Sequence, residues 1–216
     1  WTACSWAGME YRYQFKWPQL EQPWSFGRSD IAIDPDGSLY ILDMGNNRVV
    51  HFSSEGRYIK SWGARGGSAG EFDLPQSIAI APNGYIYVAD TYNNRIQYFN
   101  TEGKYIGQFS SSDPTGITIA ANGAIYVSNG YAIKYYTLEG VLVDSWIIDG
   151  ASIPYRWDTP STLLPTSIAV AADNDIYVVF DDFIKHYDTN GDYLGQLGPF
   201  EAPSSVDITK NGDIFI

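Results

Sequence analysis

Cysteine is nearly absent from this sequence: Cys4 is the single one among 216 residues. No disulfide can form within the chain, and the redox compartment stays open; a lone buried thiol is the expected state of Cys4. Basic residues are also scarce, with 13 Lys and Arg against 25 Asp and Glu and a formal net charge of −12. They gather into no patch, and such a surface repels phosphate backbones, so nucleic acid is not an expected partner. No apolar run approaches the ~18 residues that a membrane-crossing helix needs. There is no GxSxG, Walker or dinucleotide fingerprint and no N-x-S/T sequon. Nucleophilic catalysis therefore has no visible starting point, and no catalytic residue is assigned.

What the sequence does have is a repeat. Residues 77–109, SIAIAPNGYIYVADTYNNRIQYFNTEGKYIGQF, read as four short strands, Ser77–Ala81, Tyr85–Ala89, Arg95–Asn100 and Lys104–Phe109. Each is rich in β-branched and aromatic residues and is bounded by turn residues. Asn83-Gly84 is expected to form a two-residue hairpin with both residues at φ > 0. The unit recurs at 30–63, 116–146 and 167–198, and residues 205–216 start a fifth copy of two strands. A four-stranded repeat of this length is the unit of a β-propeller blade, so the expected fold is an all-β propeller in one domain covering 1–216.

At these residues the chain resembles the NHL-repeat family, for which SIAIAPNGYIYVADTYNNRIQYF and GGSAGEFDLP are near-consensus. The resemblance implies a propeller and says little about activity, because the family includes scaffolds, RNA binders, surface proteins and some enzymes. Its amidating lyases use several converging histidines. This chain has two, His51 and His186, at equivalent third-strand positions of different blades and matched elsewhere by Tyr98 and Tyr135. That pattern points to core or edge histidines rather than a zinc site.

Residues 1–17 resemble the back half of a blade, with Thr2–Trp6 and Tyr11–Trp17 as strands around an Ala7–Glu10 turn. Paired with residues 205–216, they would make a composite fifth blade and close the ring. The alternative is a fragment of a six-bladed propeller. The start at Trp1 rather than Met fits a processed product or a fragment.

Strand alternation sorts the connections onto two faces. One face carries tight Asp-Gly, Asn-Gly and Glu-Gly turns. The other carries the second-to-third turns and the unequal segments Pro18–Ser29, Gly63–Gln76, Ser110–Thr115, Ile147–Thr166 and Gly198–Ser204. Unequal loops on a rigid scaffold are where binding usually resides. Tyr92, Tyr155, Arg156 and Trp157 fall on this face and are the candidate partner-binding residues. Asp43, Asn46, Asn47 and Arg48, repeated as Asp90, Asn93, Asn94 and Arg95, read as a structural turn motif in which Asp faces Arg and the Asn residues cap the backbone. Asp188 to Asp192 imitates the opening of a calcium loop but has Tyr193 at the sixth position and Pro199 at the twelfth, so a hairpin turn is expected there.

These observations favour a non-enzymatic propeller that binds a protein, peptide or glycan on the loop face, outside the cell or at its surface. No cofactor or metal is assigned, with calcium left open. The alternatives are a self-assembling subunit of a surface layer or filament, suited to an acidic, Tyr-rich chain, and a lactonase-like or lyase-like enzyme with a metal in its channel.

Overall fold

A computed structural model describes residues 5–6, 9–10, 26, 29–148, 165–180, 182–209 and 211–216. Four antiparallel sheets of four strands follow one another, each a simple meander. Blade I comprises Ser29–Ile33, Leu39–Asp43, Arg48–Phe52 and Tyr58–Trp62. Blade II comprises Ser77–Ile80, Ile86–Asp90, Arg95–Phe99 and Tyr105–Ser110. Blade III comprises Gly116–Ile119, Ile125–Ser128, Ala132–Tyr136 and Leu142–Ile147. Blade IV comprises Pro165–Val170, Ile176–Phe180, Phe183–Tyr187 and Tyr193–Leu197.

The chain ends as it begins, in a pair of short strands. Asp207–Ile208 pairs with Ile214–Phe215, and Ser5–Trp6 pairs with Met9–Glu10. Among the described residues these are two separate two-stranded sheets rather than one composite blade. Met9–Glu10 is strand where a turn was expected; the expected strand Tyr11–Trp17 lies outside the described residues, as does Cys4.

The first strands of the blades touch one another in order around the centre, and the fourth strands lie outermost. Period-two alternation sends the two sets of side chains of each strand to opposite neighbours. Ile86 and Val88 join Leu42, Val49 and Phe72 between blades I and II. Tyr87 and Ala89 instead join Ile125, Val127 and Tyr136 between blades II and III. The register also places a stacked ring pair in every blade. These are Tyr40 on His51, Tyr87 on Tyr98, Tyr126 on Tyr135 and Tyr177 on His186, with centroids 4.1, 5.1, 5.3 and 4.3 Å apart.

The tight turns differ from the expected two-residue hairpins. Ala81 N–H donates to Tyr85 O and Gly84 N–H to Ala81 O, so three residues intervene and Gly84 alone has positive φ. Pro82 fixes the first turn residue, and the Asn83 side chain accepts the Tyr85 N–H at 3.0 Å, a local bond that needs no left-handed Asn. Asp36, Asn122 and Asp173 do the same for Ser38, Ala124 and Asp175.

The glycines of the third turns have a second task. Gly103 lies at φ +69 with its missing Cβ position 2.6 Å from the Trp62 ring of the preceding blade. Gly140 and Gly191 receive Phe109 and Trp146 in the same way. In blades I to III the aromatic near the end of the fourth strand thus lodges under the next blade's turn. Gly103→Ala adds both a clash and a strained φ, and is expected to cost about 2–4 kcal/mol. Urea unfolding of the variant beside wild type measures this, and an unchanged midpoint would remove Trp62 from the inter-blade seal.

Candidate functional site

The repeated D-x-x-N-N-R turn holds up the loop face. In blade I, Asp43 Oδ2 accepts from Asn46 Nδ2 at 2.8 Å and from Arg48 Nε at 3.0 Å. In blade II, the fully buried Asp90 accepts from Arg95 Nε at 2.7 Å, Gln97 Nε2 at 3.0 Å and Asn93 Nδ2 at 2.9 Å. Its other oxygen takes the Asp73 N–H at 2.8 Å. Arg95 continues outward, donating from its two terminal nitrogens to Gly67 O, Ser68 O and Glu71 O, each at 2.9 Å. The second Asn of each motif adopts φ +53, which Asn tolerates better than branched residues. Asn47 Oδ1 then accepts the Leu74 N–H at 2.8 Å, and Asn94 Oδ1 accepts the Asp113 N–H at 2.9 Å. Each motif therefore pins the loop that leads into the next blade.

Blade III replaces the Asp with Asn129, whose Oδ1 accepts from Ala132 N–H at 2.9 Å within a shorter turn. Two aromatics stand on these turns: Tyr92 is 63% exposed and Tyr131 is 40% exposed. Both cap second-to-third turns, and so share a face. Tyr131 was not singled out from the sequence, because its turn lacks the motif that drew attention to Tyr92. Tyr155, Arg156 and Trp157 lie outside the described residues.

The centre of the ring is a channel of about 390 Å³ lined by five successive inner strands. At the loop-face mouth the equivalent positions hold Asp30, Ser77, Gly116, Ser167 and Ser205, all polar or small. Ile78 N–H donates to Asp30 Oδ2 at 2.9 Å, Ile117 N–H to Ser77 Oγ at 3.2 Å, and Val206 N–H to Ser167 Oγ at 3.3 Å. These bonds tie the first inner strand to the second, the second to the third and the fourth to the fifth. Gly116 has no side chain to contribute, and its Cβ position is crowded by Ser128 and Ile168. Ser77 Oγ–H also donates to Asp30 Oδ2 at 2.8 Å. Burial pushes the Asp30 carboxyl up, while hydrogen bonds from Ile78, Ser77 and Ile31 pull it down and the charge of Asp207 pushes it up further. A raised carboxyl contributes stability that is lost as pH rises through its folded pKa, so the charged form is a cost at neutral pH.

Most residues of the channel lining are aliphatic, small or hydroxyl-bearing. Asp30 and Asp207 are the two exceptions in the channel lining. They sit at opposite ends of the chain, and only aligning the repeat copies column by column would have set them side by side.

His51 and His186 are in separate blades. His51 is 8% exposed, and neither ring nitrogen has a hydrogen-bond partner among the described residues. His186 Nε2 instead lies 2.6 Å from Asp175 Oδ2. Asp188 Oδ1 accepts the backbone N–H groups of Asn190 and Asp192 at 2.8 and 2.9 Å, as a hairpin turn requires. Among the described residues, no group of three or more His, Cys, Asp or Glu converges as metal ligands, and no helix is long and apolar enough to cross a membrane.

A model of the 6-bladed beta-propeller family DUF5128 matches residues 29–141, a little over half of the chain. The chain belongs to this family. Its blade number agrees with the six-bladed alternative rather than the five-bladed closure. No curated protein matches the sequence significantly. Among solved structures, hydrazine synthase from Kuenenia stuttgartiensis superposes with a TM-score of 0.63 at 15% identity, covering 82% of this chain and 51% of that one. A streptogramin B lyase gives 0.63 at 18% identity, covering 85% and 59%. Virginiamycin B lyase from Staphylococcus aureus gives 0.61 at 16%, covering 87% and 68%. The chain thus spans little more than half the length of the first two, and at such identity the likeness is one of fold.

Two outcomes follow. Asp90→Ala leaves the Arg95 guanidinium buried without its carboxylate, and is expected to cost about 3–5 kcal/mol. Denaturant unfolding with amide exchange at Gly66–Glu71 reads both the loss and the release of the loop; unaltered exchange there would show that Asp90 does not hold it. The second concerns acid. Burial lowers the His51 pKa, with Lys60 lowering it and Asp36 opposing. Above the ordinary value of about 6.5 both folded and unfolded forms are neutral. Below it the unfolded chain binds the proton first, so stability falls with pH until the folded pKa is reached. His51→Tyr, which copies Tyr98 and Tyr135, should flatten this part of the stability-versus-pH curve.

Proposed function

We propose that this protein is a non-enzymatic binding propeller of the NHL type, acting outside the cell or at its surface and taking a protein or peptide partner, or a glycan, on its loop face. The observation that carries the reading is the use of buried charge to fix a surface loop. Asp90, Arg95 and Gln97 spend their hydrogen bonds on the backbone of residues 67–73 rather than on a reacting centre. A loop held in one conformation binds without a large ordering cost. Beside it, Tyr92 and Tyr131 offer rigid, amphipathic contact area of the kind that dominates binding hot spots. Tyr155, Arg156 and Trp157 belong to the same proposed surface by strand alternation.

The acidic balance, 25 Asp and Glu against 13 Lys and Arg, favours partners with positive charge. The lyases and the hydrazine synthase share the propeller fold, but their activities do not follow from it. An extracellular setting is supported by the acidic, Lys-poor composition alone.

Arrays of immobilised peptides and glycans probed with the full chain test the reading. Tyr92→Ala with Tyr131→Ala is expected to weaken the strongest array interactions by about 2 kcal/mol or more while thermal melts stay unchanged. Asn83→Ala, on the opposite face, serves as the control. Loss of binding in the control with none in the tyrosine variant would move the surface to the other face, and turnover of an array compound would replace the reading with an enzymatic one.

A further inference from the structure

Asn-Gly pairs stand at Asn83, Asn122, Asn129, Asn190 and Asn211. At each, the Gly nitrogen can attack the Asn side-chain carbon with little hindrance, because no side chain follows. The folded state decides which pair reacts. Attack needs an Asn side chain free to turn toward that nitrogen and a backbone able to open locally.

Four of the five are restrained. Asn129 is buried, and its Oδ1 accepts the Ala132 N–H at 2.9 Å. Asn83 and Asn122 are exposed, but each Oδ1 accepts the N–H two residues on, at 3.0 and 2.9 Å. Asn190 donates from Nδ2 to Asp188 Oδ2 at 3.1 Å. Gly123 and Gly191 are also hemmed in, by Leu138 and Trp146.

The turn at Asn211 is built differently. Its equivalents begin with Asp34, Ala81, Ala120 and Ala171, and this one begins with Thr209. Thr209 Oγ1 accepts the Asp213 N–H at 3.0 Å, the bond that the Asn side chain makes at Asn83 and Asn122. The hydroxyl thus displaces Asn211 from its usual task. Among the described residues the exposed Asn211 side chain has no hydrogen bond, and nothing lies within 4 Å of the Cβ position of Gly212. The hairpin around it is short as well. Asp207–Ile208 and Ile214–Phe215 pair over two residues, against four in the hairpins of Asn83 and Asn122. So short a pair opens readily, releasing the Gly212 N–H from Thr209 O.

We propose that Asn211 is a site of spontaneous covalent modification, a deamidation whose co-reactant is water. Solvent base takes the Gly212 amide proton, and the nitrogen bonds to Asn211 Cγ. The Cγ–Nδ2 bond breaks, and ammonia leaves with a proton returned to it. Water then opens the cyclic imide at either carbonyl, leaving aspartate or isoaspartate at position 211. Isoaspartate adds a methylene to the main chain inside the turn. Because Ile208 and Ile214 carry this sheet onto Ala169, Val179 and Ile184 of blade IV, the product loosens the sheet from its neighbour.

The test is peptide mapping by mass spectrometry of the full chain held at mildly alkaline pH, in buffer and in urea, with each event read as a gain of about one dalton. In buffer, Asn211 should react about fivefold or more faster than Asn83 and Asn122, the population ratio set by one ordinary hydrogen bond. In urea that preference should vanish. Thr209→Ala copies Ala81 and Ala120 and hands the Asp213 N–H to the Asn211 side chain, so it should slow the reaction; Thr209→Ser should not. Should Thr209→Ala fail to fold, Thr209→Ser and the urea comparison decide. Equal rates at the exposed pairs in buffer, a preference that persists in urea, or a folded Thr209→Ala that reacts as fast as wild type overturns the proposal. Amide exchange at Thr209, whose N–H donates to Asp213 O at 2.9 Å, should quicken in the isoaspartate form. Unchanged exchange there overturns the loosening of the sheet.

Discussion

Each four-stranded sheet has two apolar faces, and no helix among the described residues covers either, so each blade is buried by its neighbours. The second strand of blade II shows the constraint within one pentapeptide. Ile86 and Val88 enter the core shared with blade I, while Tyr87 and Ala89 enter the core shared with blade III. Removing a neighbour would expose one of those rows to water. The turns follow from the same demand: Gly103, Gly140 and Gly191 lack a Cβ because the preceding blade's Trp62, Phe109 or Trp146 occupies that space. The hydrogen bonds from Ile78, Ile117 and Val206 to the preceding strand's side chain repeat the logic at the centre. Stability here is a chain of nearest-neighbour terms, as in other repeat architectures.

The repeat explains why so much of the fold was legible. Four copies of one strand pattern constrain each other, and a position that is small, aromatic or glycine in all of them declares its environment. The third-strand column of His51, Tyr98, Tyr135 and His186 was readable, and each of its rings stacks on a second-strand tyrosine that was not read with it. Local chemistry was less legible where two solutions share a sequence. Asn-Gly suits a two-residue hairpin, but Pro82 and the Asn83 side chain favour a three-residue turn in which only Gly84 is left-handed. The residue before proline in the inter-blade loops was missed for a related reason. Leu74, Asp113 and Ala202 take positive φ, and for the first two the force that holds them there, an Asn side chain from the preceding blade, is distant in sequence.

The candidate site was less legible still, because function in a repeat protein resides in departures that a pattern search averages away. The D-x-x-N-N-R motif is the most conspicuous polar signal in the chain, and in the folded molecule its hydrogen bonds are directed to loop backbone. Its presence in two adjacent blades already argued that it belongs to the framework, since a binding centre seldom needs two copies side by side. Tyr131 stands at the same level of the ring as Tyr92 on a turn with a different sequence, and exposure identifies it where the motif does not.

Asp30 and Asp207 carry that argument one step further. Each is ordinary in its local window: an Asp ahead of a strand, and an Asp within a short one. They become unusual when set beside the Ser and Ala of the same columns, and again when the ring brings the first and fifth inner strands to a common channel. Asp30 accepts both the Ser77 hydroxyl and the Ile78 N–H across the seam, one bond more than Ser77 or Ser167 accepts from the strand that follows it. The charge balance of the whole chain acts at longer range: an acidic surface raises the local concentration of cationic groups before any contact forms.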